Sequence, residues 1–154
     1  EGELYPSVAG SDGTMGHVLA CESRVQNDWQ QREADRKTYI DMDGTAVFKF
    51  AVRKMPEMAK SLMTQMHCTE ADIDWFITHQ ANERIIEAIA KRLKSDIAKF
   101  PMNIAECGNT SSASIPILLD EMNRSGQLKG GQKIIMAGFG AGLSWGAVYM
   151  EWHA

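Results

Sequence analysis

Asp74-Trp-Phe-Ile-Thr-His79-Gln-Ala-Asn82-Glu-Arg-Ile-Ile-Glu-Ala-Ile-Ala-Lys-Arg-Leu93 is the stretch on which the reading of the chain turns. Trp75 to Thr78 is an apolar run of strand length. Ile85, Ile86, Ile89, Ala90 and Leu93 then recur at helical spacing, with Arg84, Lys91 and Arg92 on another face. His79 therefore stands at the carboxyl end of a strand, and Gln80-Ala-Asn82 is the turn into a helix. In α/β folds ligands and catalytic groups collect at such switches, because a helix N-terminus offers free N–H groups and a partial positive charge.

Working outward, Thr45 to Met66 repeats apolar residues at three and four (Val47, Phe48, Ala51, Val52, Met55, Met58, Ala59, Leu62), which predicts a helix that Pro56 should kink or break. Tyr39 to Gly44 reads as a turn and Glu70 to Asp72 as another. Ser95 to Lys99 reads as a helical turn before Pro101, and Met102 to Ala105 as a strand. A helix is expected from Ser114 to Asn123, with Pro116 tolerated in its first turn. Lys133 to Ala137 reads as a buried strand, Gly138 to Gly142 as a glycine-rich turn, and Trp145 to Trp152 as the last strand. Before Tyr39 the chain is less regular. Gly10 to Gly13 is turn-like, a strand or two is expected near Tyr5 and Val18, and Gln26 to Lys37, around Trp29, reads as polar surface loop. This order predicts an α/β fold, a mixed sheet with helices packed on it.

Composition narrows the function classes. The 154 residues allow one domain with a real core, and 44% hydrophobic with 23% charged residues is ordinary for a globular protein. A net charge of −4 argues against nucleic acid as a partner. No apolar run approaches the roughly 18 residues of a membrane span, the longest being broken by Gly138, Gly140, Gly142 and Gly146, and no signal-peptide pattern stands at the N-terminus. Cys21, Cys68 and Cys107 give an odd count without CxxC spacing, so neither a disulfide framework nor a zinc site is indicated, and a cytoplasmic setting is expected. The chain starts at Glu1, without an initiator Met, and is expected to be part of a longer protein.

Three polar stretches, His79 to Asn82, Gly108 to Ser112 and Gly138 to Gly142, are each expected to follow a strand and so to converge at one sheet edge. An imidazole and a carboxamide aimed at one point form an oxyanion hole, with the glycine stretch adding a backbone N–H. Each feature also has a plain structural reading. His79 could be a satisfied structural residue, Asn109 an Asx turn, the glycines a tight hairpin, and the basic residues a solvated stripe. Cys107 lies two residues before Asn109, but nothing there lowers its pKa, so it reads as packing.

His79-Gln-Ala-Asn82-Glu-Arg84-Ile85, Gly108-Asn109-Thr-Ser-Ser-Ala-Ser-Ile-Pro116 and Gly138-Phe-Gly-Ala-Gly-Leu-Ser-Trp-Gly146, in this order, closely resemble the C-terminal half of the β-ketoacyl-acyl-carrier-protein synthase III family. Asp43 to Lys49 and Gly10 to Thr14 are similar too. The resemblance implies that residues 1–154 form a thiolase-like half-domain of a condensing enzyme. That enzyme joins acyl-CoA to malonyl-acyl carrier protein, with loss of carbon dioxide, at the start of fatty-acid synthesis. It implies His79 and Asn109 as the catalytic pair on the malonyl thioester and Gly140, Ala141 and Gly142 as a backbone oxyanion loop. The family usually has three glycines in that loop, and Ala141 departs from this without removing a backbone donor. It further implies Asn82, Phe139 and Met42 beside the CoA or pantetheine arm, and Arg84, Lys91, Arg92 and Lys49 as the landing site for acidic acyl carrier protein. The nucleophilic cysteine would lie in an N-terminal half outside this chain. No metal or redox cofactor is implied, CoA being a substrate, and the full enzyme is expected to be a homodimer. Two other readings stay open: a relative of secondary metabolism with another acceptor, and a non-catalytic partner subunit of the same fold.

Overall fold

The computed structural model describes residues 5–21 and 39–153; the expected loop around Trp29 lies outside them. In chain order the elements are β1 (Ser7–Ser11), β2 (Leu19–Ala20), β3 (Asp41–Met42), α1 (Gly44–Gln65), β4 (Trp75–Thr78), α2 (Glu83–Leu93), α3 (Ile104–Cys107), α4 (Ser114–Arg124), β5 (Lys133–Gly140) and β6 (Ser144–Glu151). Four strands form a mixed sheet in the order β1-β6-β5-β4. Only its β4–β5 pair is parallel, Thr78 facing Ala137. β2 and β3 make a separate two-stranded ribbon.

The central strands are apolar on both faces because helices cover both. Phe76, Ile135 and Ala137 pack under α1 and α2, against Leu62, Ile86 and Ile89. Their alternates, Ile77 and Ile134, pack under α4, against Leu118 and Met122. Ile77, Ile86 and Ile134 have no exposed surface, and each such side chain contributes about 1.5–3 kcal/mol.

Several boundaries differ from the sequence reading. Asp43 is a cap and not part of a turn: its carboxylate accepts from the N–H groups of Thr45 and Ala46, both at 3.0 Å, so Gly44 opens α1. α1 then continues through Pro56, which is buried among its neighbours, and the helix does not break. The expected strand at Met102 to Ala105 is instead the start of α3. The carbonyl of Asn103 accepts from Glu106 and Cys107, which curls the chain before any strand could pair with it. Gly138 to Gly140 are strand and not turn, because Gly138, Phe139 and Gly140 pair with Gly146, Trp145 and Ser144. Gly10 is likewise in β1, opposite Trp145.

That last pairing demands a glycine. A Cβ on Gly10 would sit 2.7 Å from Cζ2 of Trp145, whose indole lies across the strand, whereas one on Gly13 would meet nothing within 4 Å. We therefore expect Gly10→Val to destabilise the fold by about 1–3 kcal/mol and Gly13→Ala to stay within about 0.5 kcal/mol. Denaturant midpoints of the two variants check this. Equal midpoints would mean that the indole yields without cost.

Candidate active site

β4 ends on Thr78, but its ladder runs one residue further, His79 N–H donating to the carbonyl of Ala137 at 2.9 Å. The chain then turns tightly, Ala81 N–H bonding to the His79 carbonyl, and Asn82 caps α2 by accepting from Arg84 N–H at 2.9 Å. The half-buried imidazole stands edge-on to Phe139, with ring centres 5.7 Å apart. Its Nδ1 lies 2.7 Å from Oγ of Ser114, the first residue of α4.

Gln80 is completely buried and does not point at the site. Its carboxamide donates to the carbonyls of Thr78 (2.9 Å) and Pro101 (3.4 Å) and accepts from Asn103 N–H (3.2 Å). The segment leading to Asn109 is thereby fastened to the end of β4. Asn103 also donates from Nδ2 to Glu121 of α4 at 2.7 Å, and the Cys107 thiol reaches the other oxygen of that carboxylate at 3.6 Å. Burial and the Glu121 charge push the Cys107 thiol up, the opposite of what a nucleophile needs.

Asn109 forms an Asx turn, its Oδ1 accepting from Ser111 N–H at 3.0 Å, and neither Nδ2 hydrogen has a partner among the described residues. Ser111 takes φ +56°, a left-handed conformation uncommon for serine. The polar loop is thus held in one shape by its own bonds.

These groups meet on a cavity of about 1180 Å³ whose walls include His79, Asn109, Asn82, Phe139, Gly140 and Ala141. Met42 and Arg84 also line it, while Gly142 does not. Gly142 holds the turn before β6 instead: its φ is +137°, and a Cβ would lie 2.5 Å from Ser144 Oγ. The N-terminal residues of α1 (Gly44, Thr45) and α4 (Ser114, Ile115) wall the same space, as does the start of α2 at Asn82 and Arg84. The first turns of three helices therefore border one volume, with the Asp43 carboxylate on the N-terminus of α1 and Glu83 at that of α2. Arg84, Lys91 and Arg92 are exposed on α2, and Lys49 with Arg53 on α1. None of these five forms an ion pair among the described residues, where the pairs are Lys54–Glu57, Lys99–Glu70 and Arg124–Asp120.

Sequence reasoning missed Gln80 and Ser114. A signal for the second was present: Ser114, Leu118 and Met122 form the buried stripe of α4, and a hydroxyl on an apolar stripe needs a partner. For Gln80 only its place between a buried strand and a capped helix hinted at burial. Among the described residues no group of His, Cys, Asp and Glu could hold a metal ion, and no helix is long and apolar enough to cross a membrane.

Burial disfavours the imidazolium, so His79 takes its proton below the ordinary histidine value of 6.5 and is neutral at pH 7. As pH falls, the unfolded chain binds this proton first. The stabilising contribution of His79 is whole above about pH 6.5 and is lost as pH drops through the folded ring's lower pKa. An NMR titration of the ring should show that low midpoint. Stability measured against pH should fall less steeply on the acid side in His79→Gln.

Comparison with known proteins follows the same geometry. A family model described as 3-oxoacyl-[acyl-carrier-protein (ACP)] synthase III C terminal matches residues 63–152. The chain is 45% identical over 144 residues to beta-ketoacyl-[acyl-carrier-protein] synthase III of Clostridium novyi, covering 93% of this chain and 44% of that protein. The crystal structure of 3-oxoacyl-(acyl carrier protein) synthase III from Pseudomonas aeruginosa superposes with a TM-score of 0.85 at 35% identity, over 98% of this chain and 44% of that one. The priming beta-ketosynthase from the R1128 polyketide biosynthetic pathway gives 0.85 and 34%, over 96% and 44%. The chain spans a little under half the length of each.

Proposed function

Because the chain belongs to the 3-oxoacyl-[acyl-carrier-protein] synthase III family and matches its C-terminal part, we propose that it supplies the decarboxylation half of a condensing site. In the complete enzyme an acyl group passes from CoA to a cysteine outside this chain. Malonyl on acyl carrier protein then loses carbon dioxide, and the carbanion so formed attacks the acyl-enzyme thioester. The cysteine leaves as thiolate, and a 3-oxoacyl thioester remains on the carrier protein.

The observation that carries this reading is the pairing, on one cavity, of a neutral imidazole with a carboxamide whose donors have no partner among the described residues. A neutral imidazole has one N–H to give and Asn109 has two. Loss of carbon dioxide moves charge onto the malonyl thioester oxygen, and two fixed donors stabilise that enolate by hydrogen bonding, without transferring a proton to it. Gly140 and Ala141 line the cavity, where Ala141, beyond the β5–β6 ladder, would offer a backbone N–H to the other thioester oxygen, and Asn82, Phe139 and Met42 border the path of the pantetheine arm. In this role His79 is not a nucleophile's base. The reading calls for no metal or redox cofactor and fits a soluble cytoplasmic homodimer. A second acceptor class is favoured by the polyketide-priming structure at 34% identity: the same donors would serve a related ketosynthase of secondary metabolism.

In the complete enzyme His79→Ala or Asn109→Ala should lower malonyl decarboxylation by about 10²–10³ while the cysteine is still acylated. The double variant should cost little more than either single one, since both donors serve one oxygen. Decarboxylation within a few-fold of the parent in either variant would refute the pairing.

The unpaired cations suit an acidic carrier protein, although the chain itself has a net charge of −4. Attraction must be local, and exposed charges act together on encounter more than singly on affinity. Arg84→Glu should raise KM for malonyl carrier protein and spare free acyl-CoA. Reversing Lys91 and Arg92 as well should deepen the defect, and salt should shrink it. Unchanged carrier-protein kinetics in the triple reversal at low salt would assign the stripe to solvation alone.

A further inference from the structure

We infer that Ser114 is a positioning residue that sets the tautomer of His79, placing the ring proton on Nε2. The two ring nitrogens are not equivalent, and the one that keeps the proton is decided by what the other bonds. Nδ1 lies 2.7 Å from Ser114 Oγ, while Nε2 has no partner among the described residues and opens to the cavity that the ring lines.

The hydroxyl's other bonds decide the direction. Ser114 is 2% exposed, and its oxygen accepts from the backbone N–H of Gln80 at 3.3 Å. Its one hydrogen has a single available acceptor among the described residues, His79 Nδ1. If Nδ1 carried the proton, Oγ would accept twice and its own hydrogen would be buried without a bond, an arrangement that folded proteins avoid. Nε2 would then present a lone pair to the cavity. With the hydroxyl donating to Nδ1, both bonds at Oγ are satisfied and Nε2 presents an N–H. The backbone makes the arrangement stiff: Gln80 N–H comes from the turn after β4, and Ser114 is fixed in the first turn of α4.

The role of that N–H in decarboxylation rests on the functional reading above, but the tautomer itself does not. The test therefore has two readouts. Histidine-selective 15N labelling of the complete enzyme, with His79 assigned by its loss in His79→Gln, gives the tautomer directly at a pH above the ring's titration. The expected result is a proton on Nε2 in the parent and its partial transfer to Nδ1 in Ser114→Ala. A proton on Nδ1 in the parent overturns the inference, whatever the variants do, as does an unshifted tautomer in a folded Ser114→Ala. Malonyl decarboxylation is the second readout. Ser114→Ala should lose about 10–100-fold in kcat, the scale seen where a partner that orients a metal-ligating histidine is removed, with KM for malonyl carrier protein unchanged. Ser114→Thr, which keeps the hydroxyl, should recover most of it. Equal loss in both variants would point to packing and overturn the positioning role. Were His79→Ala itself to decarboxylate normally, the functional reading would fail and the 15N result would still decide the tautomer.

Discussion

The carboxamide of Gln80 has no access to water, so its donors and acceptor must all be matched inside the protein. It matches them by tying the end of β4 to the backbone at Pro101 and Asn103. The tie continues from Asn103 to Glu121 on α4, and from the start of α4 at Ser114 back to His79. These hydrogen bonds, joined through α4, link the end of β4 to the segment that leads to Asn109. The Thr78 hydroxyl, buried beside them, has no partner among the described residues. The links give a loop-borne asparagine a fixed place relative to a strand-borne histidine.

Asn82 and Asn109 have ordinary structural duties, one capping a helix and one closing an Asx turn. For Asn109 that duty occupies only the carbonyl oxygen. Using the carbonyl oxygen on the backbone orients the amide nitrogen away from it, so the turn aims the donor. The strained φ of Ser111 fits the same account, since a residue is held in the left-handed region only where its surroundings require it.

Much of this was legible in the sequence. The short apolar run before His79 and the period of three and four after it gave β4 and α2 almost to the residue, because both elements bury their apolar residues. The motifs around His79, Asn109 and the glycine segment pointed to residues that line one cavity, Gly142 apart. Met102 to Ala105 forms no strand, because the Asn103 carbonyl accepts from Glu106 and Cys107 and curls the chain. The glycines at 138 and 140 look like turn residues, yet cross-strand pairing holds them extended. Asp43 and Gln80 were ambiguous because a polar side chain does not announce its partner. Gln80 was decided by partners distant in sequence, which local propensity does not encode, whereas Asp43 and Asn103 were decided by capping and turn bonds within four residues.

The parallel pairing of β4 with β5 has a kinetic side. Residues 79–132 form one excursion between these two strands, and α2, α3 and α4 all lie within it. Closing so long a loop is entropically unfavourable before the contacts it brings are made, and parallel pairing across it is slow compared with helix formation. The helices can form early, but His79 and Gly138 become neighbours only when the excursion closes. The cavity is therefore among the last parts of the molecule to exist, and a chain caught on its way to the native state carries its helices without a site.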